Sequence, residues 1–141
     1  VILYLDTSSL VKLYVEEKAS ADVQGLVGSA EVTATSLIAY AEARAAFARR
    51  FREKAFSSGD YNRLRSQFGS DWKNFLSIQV TREIVRMAGD LAEKHGLRGF
   101  DAIHLASALT LREKLASPVT FSCYDTRLQN ASQLEKLVQP L

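Results

Sequence analysis

Val1-Ile2-Leu3-Tyr4-Leu5-Asp6-Thr7-Ser8-Ser9-Leu10-Val11-Lys12 opens the chain and decides how the rest is read. Its first five residues are continuously apolar and rich in β-formers, the pattern of a strand covered on both faces. Asp6 ends the run. Thr7-Ser8-Ser9 then supplies hydroxyl residues of the kind that start helices, with Thr7 or Ser8 expected as the cap. A strand that passes directly into a helix is the building unit of a parallel α/β sheet. An acid at the carboxyl end of such a strand stands where ligand sites gather in open sheets of this class.

The alternation of strands and helices continues past Lys12. Ser20 to Val27 reads as a short helix ended near Gly28, and Glu31 to Thr35 as a second strand. Ser36 is the expected cap of a long helix from Leu37 to about Lys54, with Leu37, Ile38, Ala41, Ala45 and Ala48 on one face. Ser57-Ser58-Gly59 breaks it. Asp60 to Leu76 carries Tyr61, Leu64, Phe68, Trp72 and Phe75 at helical spacing, so the two helices form a hairpin. Ser77 to Val80 is a strand. Thr81 starts a helix to His95 with Ile84, Val85, Ala88, Leu91 and Ala92 as its stripe, and Gly96 stops it. Phe100 to Leu115 is apolar on most of its circumference and is expected at the centre. Val119 to Ser122 is a strand, Tyr124 to Ala131 a short helix, and Lys136 to Val138 a last strand. The fold class is therefore α/β, with a mostly parallel sheet covered by helices on both faces. No repeat or linker divides the chain, which is expected to be one domain, residues 1–141.

The bulk properties agree. The chain has 141 residues, 47% apolar and 24% charged, the composition of a globular protein with a core of its own. No run approaches the ~18 apolar residues that span a bilayer. Cys123 is the only cysteine, which excludes an internal disulfide framework and a CxxC zinc site. A reducing, cytoplasmic setting is expected. The first apolar run has no basic leader and stops after five residues, too short for a signal-peptide core.

Four acids do not fit their surroundings. Asp6 follows an apolar strand. Glu42 falls between Ile38 and Ala45 on the same side of its helix, where a glutamate is rare unless paired or metal-bound. Asp101 opens the most apolar helix. Asp125 follows the strand Val119–Ser122. Each has a simpler reading: Asp6 and Asp125 as helix caps, Glu42 as a partner of Arg44 or Arg49, Asp101 as a favourable charge at a helix start. Taken together, Asp6 and Asp125 stand at one edge of one sheet, and helices starting near Ser36 and Gly99 begin at that same edge. Four carboxylates brought together cannot all stay ionised without cations. Oxygen-only ligands favour magnesium or manganese, and such an ion activates water and offsets charge on a phosphate. Metal-dependent phosphodiester hydrolysis is the chemistry these residues point to.

Competing chemistries lack their parts. There is no GxxxxGK[ST] loop and no GxSxG elbow. An aspartyl phosphatase carries a second acid two residues after the first, where this chain has Ser8. A phosphoryl-accepting receiver domain carries a pair of acids after the first strand, and Asp6 stands alone. His95 is expected to be exposed near a helix end. His104 lies one turn after Asp101 and either approaches the site or packs on a neighbouring helix, packing being the commoner fate. Cys123 reads as a small strand-end residue without chemistry.

These motifs resemble those of PIN-domain ribonucleases, and more narrowly VapC-like toxins of toxin–antitoxin pairs. Leu5-Asp6-Thr7-Ser8-Ser9-Leu10-Val11-Lys12 with Tyr14 resembles the first motif. Ser36-Leu37-Ile38-Ala39-Tyr40-Ala41-Glu42 resembles the second, and Leu97-Arg98-Gly99-Phe100-Asp101-Ala102-Ile103-His104-Leu105-Ala106 the third. Ser122-Cys123-Tyr124-Asp125-Thr126-Arg127-Leu128 resembles the fourth, although its lead-in departs from the small, threonine-rich pattern. The resemblance implies a three-layer α/β/α sandwich around a mostly parallel sheet of roughly four to five strands. It implies acids converging on one or two Mg²⁺ or Mn²⁺ ions. Asp6 and Asp101 would be the principal ligands. Glu42 would complete the site or position water. Asp125 would serve a second metal or bind through water, and Ser8 would support the site by hydrogen bonding. The implied reaction is in-line attack of activated water on RNA. A cognate antitoxin and homodimerisation are implied partners.

Residues 44 to 65 hold seven cations, among them Arg44, Arg49 and Arg50, against two acids. Such a surface attracts a phosphate backbone. Phe47, Phe51, Phe56 and Tyr61 interleave with the charges and either stack on bases or turn inward. Two other readings keep the same acids: a housekeeping PIN nuclease in RNA processing, and a non-catalytic RNA- or protein-binding module on the same fold.

Overall fold

A computed structural model describes all of residues 1–141. Strand β1 (Ile2–Leu5) passes through Asp6 into the short helix α1 (Thr7–Val11), and α2 (Ser20–Ser29) leads to β2 (Val32–Ser36). Helices α3 (Ala39–Arg52) and α4 (Ser58–Trp72) form the expected hairpin before β3 (Leu76–Ile78). Then come α5 (Arg82–His95), α6 (Gly99–Leu115), β4 (Val119–Ser122) and α7 (Thr126–Leu134). The four strands lie in the order β3-β2-β1-β4, and every neighbouring pair is parallel.

β1 sits inside the sheet, and its side chains alternate between two cores, which is why its sequence is apolar throughout. Leu3 and Leu5 point to a cluster with Leu10, Val23, Ala43, Phe47 and Phe68. Tyr4 points to the opposite cluster with Leu105, Phe121 and Leu128. Helix α6 supplies six of the eighteen buried residues of that second core, and eight of its residues in all are buried, as its nearly uniform apolarity predicts. Phe68 is fully buried and packs against Tyr14, Tyr40, Phe47 and Trp72 at centroid distances of 5.2 to 5.7 Å. Truncating a ring in such a site costs about 3–5 kcal/mol.

Several local expectations are corrected. The cap of α1 is Asp6, whose Oδ1 accepts from Ser9 N at 2.9 Å, not Thr7 or Ser8. Ser36 is not a helix cap but the last residue of β2, paired in register with Ile78. Helix α3 buries Ala39, Ala43 and Phe47, whereas Leu37, Ala41 and Ala45 are exposed. An alanine-rich helix has no sharp apolar stripe, so the single large ring at Phe47 decides which side faces the core. Val85 is exposed although the α5 stripe includes it. The last strand reduces to one bridge, Val138 with Thr120. His95 is not exposed: its side chain is buried and Nε2 lies 2.7 Å from Glu135 Oε2.

Candidate active site

The carboxyl ends of β1 and β4 lie side by side, with Leu5 opposite Ser122. Asp6 N donates to Ser122 O at 3.2 Å. Ser9 Oγ donates to the same carbonyl at 2.9 Å and lies 2.9 Å from Ser122 Oγ. These bonds tie the start of α1 to β4 and fix where Asp6 points. Asp6 is 4% exposed. Oδ1 accepts from Ser8 Oγ at 2.8 Å and from Ser9 N, while Oδ2 has no partner within the protein.

Helix α3 brings Glu42 to the same place from the neighbouring strand connection. Thr7 Oγ1 donates to Glu42 Oε1 at 2.5 Å, and His104 Nε2 lies 3.2 Å from that oxygen. Helix α6 brings Asp101 in its first turn, where Arg98 Nε donates to Oδ2 at 3.2 Å. Asp125 occupies the cap position of α7, but its side chain makes no capping bond, so the simple capping role is unfilled. Asp6, Glu42, Asp101 and Asp125 all line one open cavity of about 290 Å³. Thr7, Ser8, Arg98, His104 and Tyr124 complete its wall.

The electrostatics separate the acids. Burial pushes the Asp6 carboxyl above its ordinary value, opposed by His104 and by the donors at Ser9 and Ser8, with the Asp101 charge adding to the rise. Burial also raises Glu42, but donors from His104 and Thr7 more than offset it, and its carboxyl lies below the usual value. Burial pushes the Cys123 thiol far up, with the Asp6 charge adding to it, which fits a residue without thiolate chemistry.

A divalent cation fits this site by donor chemistry. All four acids offer hard oxygen, the ligand of magnesium and manganese. Asp6 and Glu42 each have one oxygen engaged by the protein and one without a partner. No three His, Cys, Asp or Glu side chains already stand at the spacing of a closed metal shell, and Asp101 Oδ2 is engaged by Arg98.

A PIN-domain model matches residues 3–132. The chain belongs to the PIN-domain family. Two relatives from Mycobacterium tuberculosis, Ribonuclease VapC45 and Ribonuclease VapC49, are each 33% identical over 110 residues, 78% of this chain and 76% of theirs. Among solved structures, FitAcB from Neisseria gonorrhoeae superposes with a TM-score of 0.65 at 16% identity, covering 98% of this chain and 96% of that one. Mycobacterium tuberculosis VapC20, described as a sarcin-ricin loop cleaving toxin, gives a TM-score of 0.64 at 16% identity, covering 92% and 94%. VapBC2 from Rickettsia felis, bound to a promoter DNA fragment, gives 0.64 at 14% identity, covering 99% and 97%. At such identities the likeness is one of fold, and it agrees with the parallel sheet between helical layers.

Within this PIN domain the sequence singles out the four acids and Ser8, and the fold gathers them on one cavity. Thr7 stands out in the sequence only as a cap, and His104 mainly as a packing residue. Arg98 and Tyr124 carry no signal beyond the motifs that contain them. The spacing of His104 one turn after Asp101 is the only sequence signal for its place at the site. The basic residues divide. Arg44 donates to Tyr40 Oη at 2.7 Å and is exposed, and Arg49 is exposed beside Glu53. Arg50 is paired with Glu17 at 3.0 Å, and Glu17 also holds Lys12 at 3.1 Å. The rings of Phe51, Phe56 and Tyr61 stack on one another and Phe47 is buried, so the aromatics turn inward. No helix is long and apolar enough to cross a membrane.

Proposed function

We propose that the protein is a divalent-metal-dependent endoribonuclease that serves as the toxin of a toxin–antitoxin pair. The observation that carries this reading is the convergence of Asp6, Glu42, Asp101 and Asp125 on one open cavity at the carboxyl ends of β1 and β4. Asp6 and Asp101 would be the principal ligands of Mg²⁺ or Mn²⁺, Glu42 would complete the shell or hold water, and Asp125 would act at the second side of the cavity. A bound cation supplies acidified water and offsets charge that develops on the phosphoryl oxygens.

The chain's own groups do the rest. Ser8 and Ser9 hold Asp6 Oδ1 and leave Oδ2 for the ion. Arg98, whose side chain is 80% exposed at the cavity wall, is placed to bind a phosphate of the RNA, and its present partner Asp101 would be among the residues that hold the ion. Glu42, held at one oxygen, keeps the other for the ion or the attacking water. Attack by water needs no 2′-hydroxyl nucleophile and leaves a 5′-phosphate. The relatives named as ribonucleases support the chemistry, and the structural neighbours crystallised as toxin–antitoxin complexes support an antitoxin partner. Homodimerisation and a cytoplasmic location belong to the same proposal.

The test is RNA cleavage by wild type and Asp101→Asn, with Mg²⁺ or Mn²⁺ and with chelator. Cleavage that needs both the metal and Asp101, falling at least ~100-fold in the variant, is the expected result. A variant that cuts at the wild-type rate would sink the site assignment. A wild type that neither cuts RNA nor binds Mn²⁺ would favour the non-catalytic module.

A further inference from the structure

A partly exposed glutamate in the first turn of a helix samples several rotamers unless something holds it. Glu42 is held by one oxygen only. Oε1 takes both Thr7 Oγ1 and His104 Nε2, and Oε2 takes no protein donor. A carboxylate accepts and never donates, so Nε2 carries the hydrogen that points at it. Thr7 Oγ1 also lies 3.0 Å from Nε2. Its hydrogen goes to Glu42, which leaves its oxygen free to accept from the ring.

The other ring nitrogen is also committed. His104 Nδ1 lies 2.9 Å from Tyr4 Oη. The ring is thereby tied at both nitrogens, Nδ1 to Tyr4 and Nε2 to Glu42. Tyr4 is itself fixed: it is fully buried on an inner strand, and its ring stacks on Phe121 at 5.5 Å. A chain of hydrogen bonds thus runs from Tyr4 through His104 to Glu42. Its members come from β1, α6 and α3, and α1 contributes Thr7. His104 is 2% exposed, and no buried polar side-chain atom lacks a partner. Mere packing at this position calls for an apolar residue, which carries no desolvation cost.

We propose that His104 is a positioning residue: held in one ring orientation by Tyr4, it fixes Oε1 of Glu42 together with Thr7 and leaves Oε2 as the oxygen presented to a divalent cation. The inference rests on the ribonuclease reading and extends it from the acids to the groups that orient one of them. Outer-shell partners of this kind typically account for 10–100-fold in metal affinity or activity.

The experiment reads Mn²⁺ binding without RNA, by calorimetry or by depletion of the free-ion spin resonance signal, well below each variant's melting temperature. His104→Leu removes both ring nitrogens, and its Mn²⁺ affinity is expected to fall about 10–100-fold. His104→Gln retains an amide donor toward Glu42 and is expected to recover most of the loss. In a Glu42→Gln background the His104 substitutions are expected to change Mn²⁺ affinity no further, the mark of a coupling through that carboxylate. A merely structural histidine would lower the melting temperature in both backgrounds and leave Mn²⁺ affinity alone.

Should His104→Leu fail to fold, Tyr4→Phe keeps the ring and its stacking and removes only the hydroxyl. Its Mn²⁺ affinity is expected to fall severalfold. Folded His104→Leu, or Tyr4→Phe in its place, binding Mn²⁺ as wild type does would overturn the proposal. If wild type binds Mn²⁺ and cuts RNA while these variants bind normally, only this inference fails. If wild type does neither, the ribonuclease reading fails with it.

Discussion

Asp6 is 4% exposed, and its Oδ1 already accepts from Ser8 and Ser9, yet burial still pushes its pKa above the ordinary value. The folded chain therefore holds the Asp6 proton more tightly than the unfolded chain does. Stability is lost as pH rises from the unfolded value through the raised folded one, and above that the ionised group is a constant burden. Asp6→Asn keeps an oxygen to cap α1 and removes that burden. In chelator at neutral pH the variant is expected to melt a few degrees higher than wild type, about 2–6 °C, with the gap closing near pH 3, where both forms are neutral. Adding Mn²⁺ should raise the melting temperature of wild type through mass action and leave the variant unmoved. Thermal melts at both pH values, with and without the ion, check all three statements. A variant that melts lower at neutral pH would show that Asp6 serves the fold rather than the site.

At the scale of elements, backbone conformation at the helix ends sets what can be changed. Helix α5 ends at Gly96 with φ of 65°, a left-handed cap that glycine adopts without cost. Helix α6 ends in the same way at Ala116 with φ of 48°, where a Cβ is strained. Gly96→Ala is expected to destabilise by about 1 kcal/mol and Ala116→Gly to stabilise by up to about 1 kcal/mol, read as opposite shifts of the urea midpoint. A Gly96→Ala protein with an unchanged midpoint would contradict the cap. Signals confined to one turn are legible in the sequence: Thr81 and Gly96 bound α5 as expected, and β4 runs Val119–Ser122 as expected. Ser36 misleads because its hydroxyl suits a cap, but pairing with β3 carries the strand further toward α3. The buried side of α3 misleads because alanine on every face gives no contrast, and only packing on Phe68 selects Phe47.

Across the whole molecule, Asp6, Asp101 and Asp125 are legible because each is an anomaly in its own segment, a charge after an apolar strand or at the mouth of an apolar helix, whereas Glu42 is picked out by a face of α3 whose Ala45 turns out exposed. Thr7 and His104 carry no such mark. Their meaning lies in hydrogen bonds to groups 35 to 97 residues distant in the chain, which periodicity cannot register. Charge distribution is the other whole-molecule property, and the fold refines it. Of the cations on the α3–α4 hairpin, Arg44 and Arg49 face solvent on the helix that carries Glu42. Arg50 is held by Glu17. Arg49 follows Glu42 by two helical turns, about 10 Å along the axis, so a strand of RNA seated at the acids and continuing along this helix would pass it. If it does, replacing Arg44 and Arg49 together by alanine weakens RNA binding at low salt. It also flattens the dependence of log affinity on log salt by about 0.7 for each phosphate that the protein no longer neutralises. Arg50→Ala leaves that slope unchanged and lowers the melting temperature instead. Fluorescence anisotropy with a short single-stranded RNA in chelator, over a salt series, separates the double variant from Arg50→Ala and wild type. An unchanged slope in the Arg44/Arg49 double variant would move the RNA path off this helix and onto the Arg98–Arg127 side of the cavity, where Asp101 and Asp125 share a second open cleft of about 590 Å³.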